Sequence, residues 1–179
     1  MQEVGKLANF TESRSHFAAW AVLSSPLILS FKLTDTHTLD AMWPIITNRR
    51  VIAVNQRWAG HPGTRLATDA HTGGEEWQAW AKPLGGGAHA ALLLSTGSRS
   101  RQTISVPFTT ISGDFARPRV AACVYDLHAD PRQPPLGPIL SAGSKSLTAA
   151  GVGAHDSAMY CVHAVAVEGH GGCPASCVE

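Results

Sequence analysis

Between residues 58 and 74 the apolar pattern of this chain changes its period, so one uniform architecture cannot account for both sides. Upstream, apolar residues fall at helical spacing or in a short unbroken run. Downstream they alternate in short runs punctuated by Gly and Pro. A helix is expected over 11–23, with Thr11 as N-cap and Glu12 at the positive end of the helix dipole. Phe17, Trp20, Ala21 and Ser24 then share one face, and Ser24-Ser25-Pro26 stops the helix. Leu27-Ile28-Leu29 has no polar alternation, the pattern of a strand in a parallel sheet covered on both faces. Asp35 is placed to cap a helix carrying Leu39, Met42 and Trp43, ended or kinked at Pro44. Asn48 is placed to cap another with Val51, Ile52 and Val54. Residues 1–56 thus read as α, β, α, a slice of a parallel α/β fold that cannot close on itself.

From residue 65 onward the expectation is all-β, with strands over 75–82, 88–95, 102–106, 119–127, 146–149 and 158–167 and a turn at Gly85-Gly86-Gly87. This stretch of roughly 100 residues suits an antiparallel β-sandwich. Residues 128–144 read as a long loop and 169–179 as a tail. The domain division is therefore 1–58, 65–168 and 169–179.

Charge excludes whole classes of partner. Fourteen Lys and Arg face thirteen Asp and Glu, with no block of one sign. Broad binding to nucleic acid or an anionic membrane is not expected. Hydrophobic residues at 44% against 15% charged give a globular composition. No apolar run reaches the ~18 residues of a membrane span, and the first residues have neither the basic nor the apolar region of a signal peptide. Four cysteines, Cys123, Cys161, Cys173 and Cys177, fit two disulfides or four thiols. Asn9-Phe10-Thr11 is a glycosylation sequon, relevant only on a secretory route.

Isolated residues offer little chemistry. His16 reads as a packed or capping histidine. His61 and His155 stand near turns without a second ligand at metal spacing, so no metal site and no cofactor is expected. Cys173 and Cys177 read as disulfide partners, of each other or of Cys123 and Cys161. Trp77 and Trp80, three apart in a strand, point to opposite faces, which argues against a stacking platform. Asp114, Asp126 and Asp130 read as surface carboxylates.

Four stretches in order and spacing resemble glycoside hydrolase family 27, the α-galactosidases. Met1-Gln2-Glu3-Val4-Gly5 resembles the end of the family's Trp-Asn-Asp-Pro-Asp-Met-Leu-Glu-Val-Gly motif. Glu12-Ser13-Arg14-Ser15-His16-Phe17-Ala18-Ala19-Trp20-Ala21 is similar to its Glu-Tyr-Arg-Ser-His-Phe-x-x-Trp-Ala helix. Ser25-Pro26-Leu27-Ile28-Leu29 resembles strand eight, and Val51-Ile52-Ala53-Val54-Asn55-Gln56 the last barrel helix. Further on, Trp80-Ala81-Lys82-Pro83-Leu84, Val124-Tyr125-Asp126-Leu127 and Ala154-His155-Asp156-Ser157 are similar to parts of its C-terminal domain.

The resemblance implies the C-terminal slice of a (β/α)8 TIM barrel followed by an antiparallel β-sandwich. It implies a retaining enzyme acting on terminal α-galactosyl groups of a galactoside or oligosaccharide. Such chemistry uses two carboxylates about 5 Å apart. In the family both precede the motif aligned with Met1, so no catalytic residue is assigned and residues 1–179 alone are expected to be inactive. Met1 aligns with a pocket-lining Met and is the one substrate-binding candidate. Ser30-Phe31-Lys32-Leu33 departs from the family, which has an acid where Lys32 stands. The alternatives are an α-N-acetylgalactosaminidase fragment or a non-catalytic carbohydrate-binding or structural sandwich. A secreted, vacuolar or lysosomal location is expected for the full-length family member, and this chain reads as its latter half, from a shortened or decayed gene.

Overall fold

A computed structural model of the chain describes residues 2–71, 74–98, 101–129, 145–166 and 173–174. Three helices come first: α1 (Phe10–Val22), α2 (Thr36–Ile46) and α3 (Arg49–Gln56). Their starts are fixed by side-chain caps. The cap of α1 is Asn9, not Thr11, and its side chain accepts from the Glu12 amide at 2.8 Å. Asp35 and Asn48 cap α2 and α3 as their positions suggested. Pro44 lies inside α2, which ends two residues later.

The apolar run at Leu27–Leu29 does not become a strand. It contributes only a single parallel bridge, Gln2 to Leu29. Ile28 remains 56% exposed. A parallel strand needs hydrogen-bonded neighbours along its length, and one bridge to the first described residue does not provide them.

Among the described residues seven strands follow: β1 (Thr64–His71), β2 (Gly74–Gly85), β3 (Ala88–Ser95), β4 (Gln102–Pro107), β5 (Val120–Asp126), β6 (Ser146–Val152) and β7 (Ser157–Ala166). A four-residue helix, α4 (Phe108–Ile111), and a 3₁₀ turn lie between β4 and β5. Five strands form one antiparallel sheet in the order β1-β2-β3-β7-β5, and β4 pairs with β6 in a second. The chain therefore crosses between sheets after each of β3, β4, β5 and β6, as a sandwich requires. Gly85, Gly86 and Gly87 all have positive φ, which lets the β2–β3 hairpin turn without Cβ strain.

The larger sheet is buried on both faces. Ala88, Ala90 and Leu92 of β3, Cys123 and Tyr125 of β5, and Met159 and Cys161 of β7 pack with Phe17, Ala18, Ala21, Val51 and Val54 of the helices. The alternate residues, Ala91, Leu93, Ala122 and Val162, pack with Ile104, Val106, Leu147 and Ala149 of the small sheet. Trp80 joins the first core and Trp77 the second, the division that their odd spacing predicts. The alanines on the helix side let α1 come close, and Ser15 Oγ donates to Ser157 Oγ at 3.0 Å in that buried seam. Gly63 makes another close approach. A Cβ there would stand 2.2 Å from the Val22 side chain. Among the described residues no helix is long and apolar enough to cross a membrane.

Candidate functional site

Where the helices meet the end of β5, a cleft of about 520 Å³ opens. Each wall follows from local sequence. The Asn9 cap starts α1 so that Phe10, Arg14 and Phe17 stand along one side, one turn apart. The last turn of the short α2 carries Trp43 and Pro44, whose side chains form the facing wall with Ile45. Thr47 Oγ1 donates back to the Trp43 carbonyl at 2.6 Å, closing the turn into α3. Asn48 then does two jobs. Its Oδ1 caps the amides of Arg50 and Val51, while its Nδ2 donates to the Leu127 carbonyl at 2.9 Å. That last bond holds His128 and Ala129 against the helices.

The polar floor is built by residues far apart in sequence. Arg14 donates to Asp156 Oδ1 at 2.6 Å. Asp156 precedes β7 and also accepts from the Ser157 amide at 2.7 Å. Asp126 Oδ1 accepts from the backbone amide of His128 at 2.8 Å. Among the described residues Nε of Arg14 is buried without a hydrogen-bond partner, and the His128 ring is enclosed with the Ser157 backbone beside it. Burial pushes the His128 pKa down to about 4, with the Arg14 cation adding to the effect. Asp126, Asp156 and a hydrogen bond with the Ser157 backbone pull more weakly the other way. At neutral pH His128 is therefore uncharged.

The residues singled out from sequence do not gather here. Met1, the substrate-binding candidate, lies outside the described residues, as do Cys177 and Asp130. His16 is a packing residue: Nε2 accepts from the Glu3 amide at 3.1 Å and the ring lies 5.6 Å from that of Trp20. Burial lowers its pKa. Lys32 is exposed. Asp114 pairs with Arg117 at 2.8 Å. Cys173 pairs with Cys123, and Cys161 is disulfide-bonded as well. Among the described residues no group of three or more His, Cys, Asp or Glu is placed to hold a metal. Sequence reasoning missed Asp156 and His128 because neither has a local periodic signal. Their partners stand on elements whose adjacency only the fold supplies.

Residues 74–162 match the family described as the alpha galactosidase C-terminal beta sandwich domain. The α-galactosidase of Coffea arabica is 34% identical over 152 residues, which are 84% of this chain and 35% of that protein. The α-galactosidase of Lachancea cidri is 37% identical over 108 residues, 56% of this chain and 22% of that protein. The crystal structure of α-galactosidase I from Mortierella vinacea superposes with a TM-score of 0.70 at 29% identity, over 90% of this chain and 38% of that one. A structure of the Saccharomyces cerevisiae enzyme with raffinose has the same fold, with a TM-score of 0.71 at 23% identity over 92% of this chain and 46% of that one. The chain thus spans about a third or less of the length of these curated relatives.

Proposed function

Since this chain belongs to the α-galactosidases of glycoside hydrolase family 27, as their C-terminal part, we propose that it forms the closing portion of a retaining enzyme that hydrolyses terminal α-D-galactosyl residues. On this reading residues 1–58 are the last part of a TIM barrel, 65–168 its β-sandwich and 169–179 a tail, and Met1 lines the galactose pocket. The whole protein acts in a secreted, vacuolar or lysosomal setting on a galactoside or oligosaccharide.

One observation carries the reading. The face of the five-stranded sheet that a free-standing binding module would present to ligand is sealed by α1 and α3 through one continuous core. Polar ties reinforce it. Lys82 is fully enclosed, and its Nζ donates to the carbonyls of Val54 and, at 3.2 Å, Asn55 at the end of α3. A sandwich built this way is a buttress for the helical part, which favours a structural role within a larger enzyme over an independent carbohydrate-binding domain.

Both carboxylates needed for retaining hydrolysis belong, in the family, to segments ahead of the one aligned with Met1. Residues 1–179 alone are therefore inactive. Purified chain incubated with p-nitrophenyl α-galactoside is expected to release nitrophenol no faster than buffer. Turnover that galactose inhibits would overturn this. Sequencing the transcript on the 5′ side of Met1 tests the rest: an in-frame Trp-Asn-Asp-Pro-Asp stretch is expected there, and stop codons in its place would remove the catalytic reading.

A further inference from the structure

The chain has three asparagines, and two of them are committed to the fold. Asn48 Nδ2 donates to the Leu127 carbonyl and Asn55 Nδ2 to the Ser25 carbonyl at 2.8 Å, each tying one element to a distant segment. Asn9 is different. It is exposed, and among the described residues its side chain bonds to Glu12 alone. It is also the one asparagine with Ser or Thr two places on, in Asn9-Phe10-Thr11. That triplet is the acceptor for N-linked glycosyl transfer, since its middle residue is not Pro. Phe10 itself is 41% exposed, so this start of α1 is open to water.

A three-residue motif arises often by chance, and it matters only where the transfer machinery is present. The cysteines supply that second condition. Cys123 is bonded to Cys173, and Cys161 is disulfide-bonded as well. Disulfides form and persist in oxidising compartments, the secretory lumen among them, and N-glycans are attached in that same lumen.

We propose that Asn9 is an N-glycosylation site of the mature protein, modified without loss of its role as the cap of α1. The donor is an oligosaccharide carried on a lipid pyrophosphate. Its C1–O bond breaks, a C1–Nδ2 bond forms, one Nδ2 proton is released and the lipid pyrophosphate leaves. The side-chain amide has two protons on Nδ2 and a separate acceptor oxygen. Oδ1 therefore keeps its bond from the Glu12 amide at 2.8 Å, and one N–H remains for Glu12 Oε1, which Nδ2 meets at 3.1 Å. The inference rests on the secretory setting proposed above and not on the catalytic reading.

The 179-residue chain secreted from a yeast host behind a cleavable leader tests it. Intact mass without reduction is expected to show the disulfides formed and one N-glycan added. N-glycosidase F in heavy-oxygen water should remove the glycan and leave the label at position 9. Thr11→Ala should lose the glycan outright and Thr11→Ser should keep it. Asn9→Asp retains an acceptor for the Glu12 amide and should lose the glycan too, which separates the motif from the cap. The glycosylated chain should melt no lower than the same chain secreted while lipid-linked oligosaccharide synthesis is blocked. A secreted, disulfide-bonded chain without glycan overturns the proposal and leaves the secretory setting standing. A glycan that survives Thr11→Ala overturns it as well, and a lower midpoint in the glycosylated chain overturns the persistence of the cap. Free thiols at Cys123 and Cys161 in the secreted chain would overturn the premise and the proposal with it.

Discussion

Gln2 is fully enclosed, yet among the described residues neither its amide nitrogen nor its amide oxygen has a partner. Its backbone is well held, donating to the Ile28 carbonyl at 2.9 Å and accepting from Ser30 Oγ. Only the side chain is out of place. The family motif that this stretch resembles has Leu at the corresponding position, a side chain of similar size with nothing to satisfy. Gln2→Leu is expected to raise unfolding free energy by about 1–2 kcal/mol, the scale of a relieved buried polar group. Urea denaturation checks it, and a loss of stability would mean that the amide does have a partner in solution. His128 makes a different demand. Its pKa is lowered to about 4 in the folded chain, against about 6.5 when unfolded. As pH falls from about 6.5 the unfolded state takes up the proton first, so stability declines until about pH 4 and then levels. The shift corresponds to a loss on the order of 3 kcal/mol. Burial lowers the pKa of His16 and His89 too, and both add in the same direction. The comparison that isolates His128 is therefore stability against pH for the parent and for His128→Phe. The variant should show the shallower slope between pH 6.5 and 4, and equal slopes would contradict the assignment.

Elements were legible in the sequence to the degree that their own residues determine them. Strand β3 keeps the expected bounds, because a run of apolar residues buried on both faces between a tight Gly turn and Ser95 leaves no other reading. Helix α1 was placed within a residue, though its cap is Asn9. Strand β1 was missed. Among the described residues it is an edge strand paired with β2 alone, and its register shifts between Arg65 and Ala67 and again between Asp69 and Ala70. Those shifts break the period-two alternation on which strand recognition depends. The Leu27-Ile28-Leu29 run failed in the opposite sense, since its composition is right for a strand and among the described residues it gains one bridge, to Gln2. Lys82 shows how one residue can link two elements. Its ammonium group takes the place of the amides that would follow at the end of α3, a favourable place for a cation. Burial pulls its pKa down. Lys82→Met keeps the bulk but leaves two carbonyls short of a donor, and should cost about 1–3 kcal/mol. Thermal or urea unfolding measures it, and a more stable variant would show that desolvating the ammonium outweighs its two bonds.

At the scale of the whole molecule the division read from the sequence, helices before residue 58 and sandwich after residue 65, meets a core that ignores it. Phe17, Ala18, Ala21, Val51 and Val54 share one cluster with Leu92, Cys123, Tyr125 and Met159. The five-stranded sheet is apolar on both faces, so removing the helices would uncover one of them. The same logic limited what sequence could reveal of the cleft. The change of hydrophobic period locates where helices give way to strands, but not that Asn48 binds Leu127 or that Arg14 binds Asp156. Those ties are consequences of one layer lying on the other. Layers joined by a shared core, by Lys82 and by these bonds should unfold together. Helix loss followed at 222 nm and exposure of Trp77, which packs on the far side of the sheet against the small sheet, are therefore expected to share one urea midpoint. A chain retaining Trp77 as its only tryptophan, with Trp20, Trp43, Trp58 and Trp80 changed to Phe, gives the second probe. If the helical signal is lost at clearly lower urea than the tryptophan signal, the sandwich is stable by itself and the sequence boundary is also a folding boundary. Coincident transitions mean that the helices are the missing layer of the sandwich, which is why a shortened chain beginning at Thr64 should bind a hydrophobic dye or aggregate where the 179-residue chain does not.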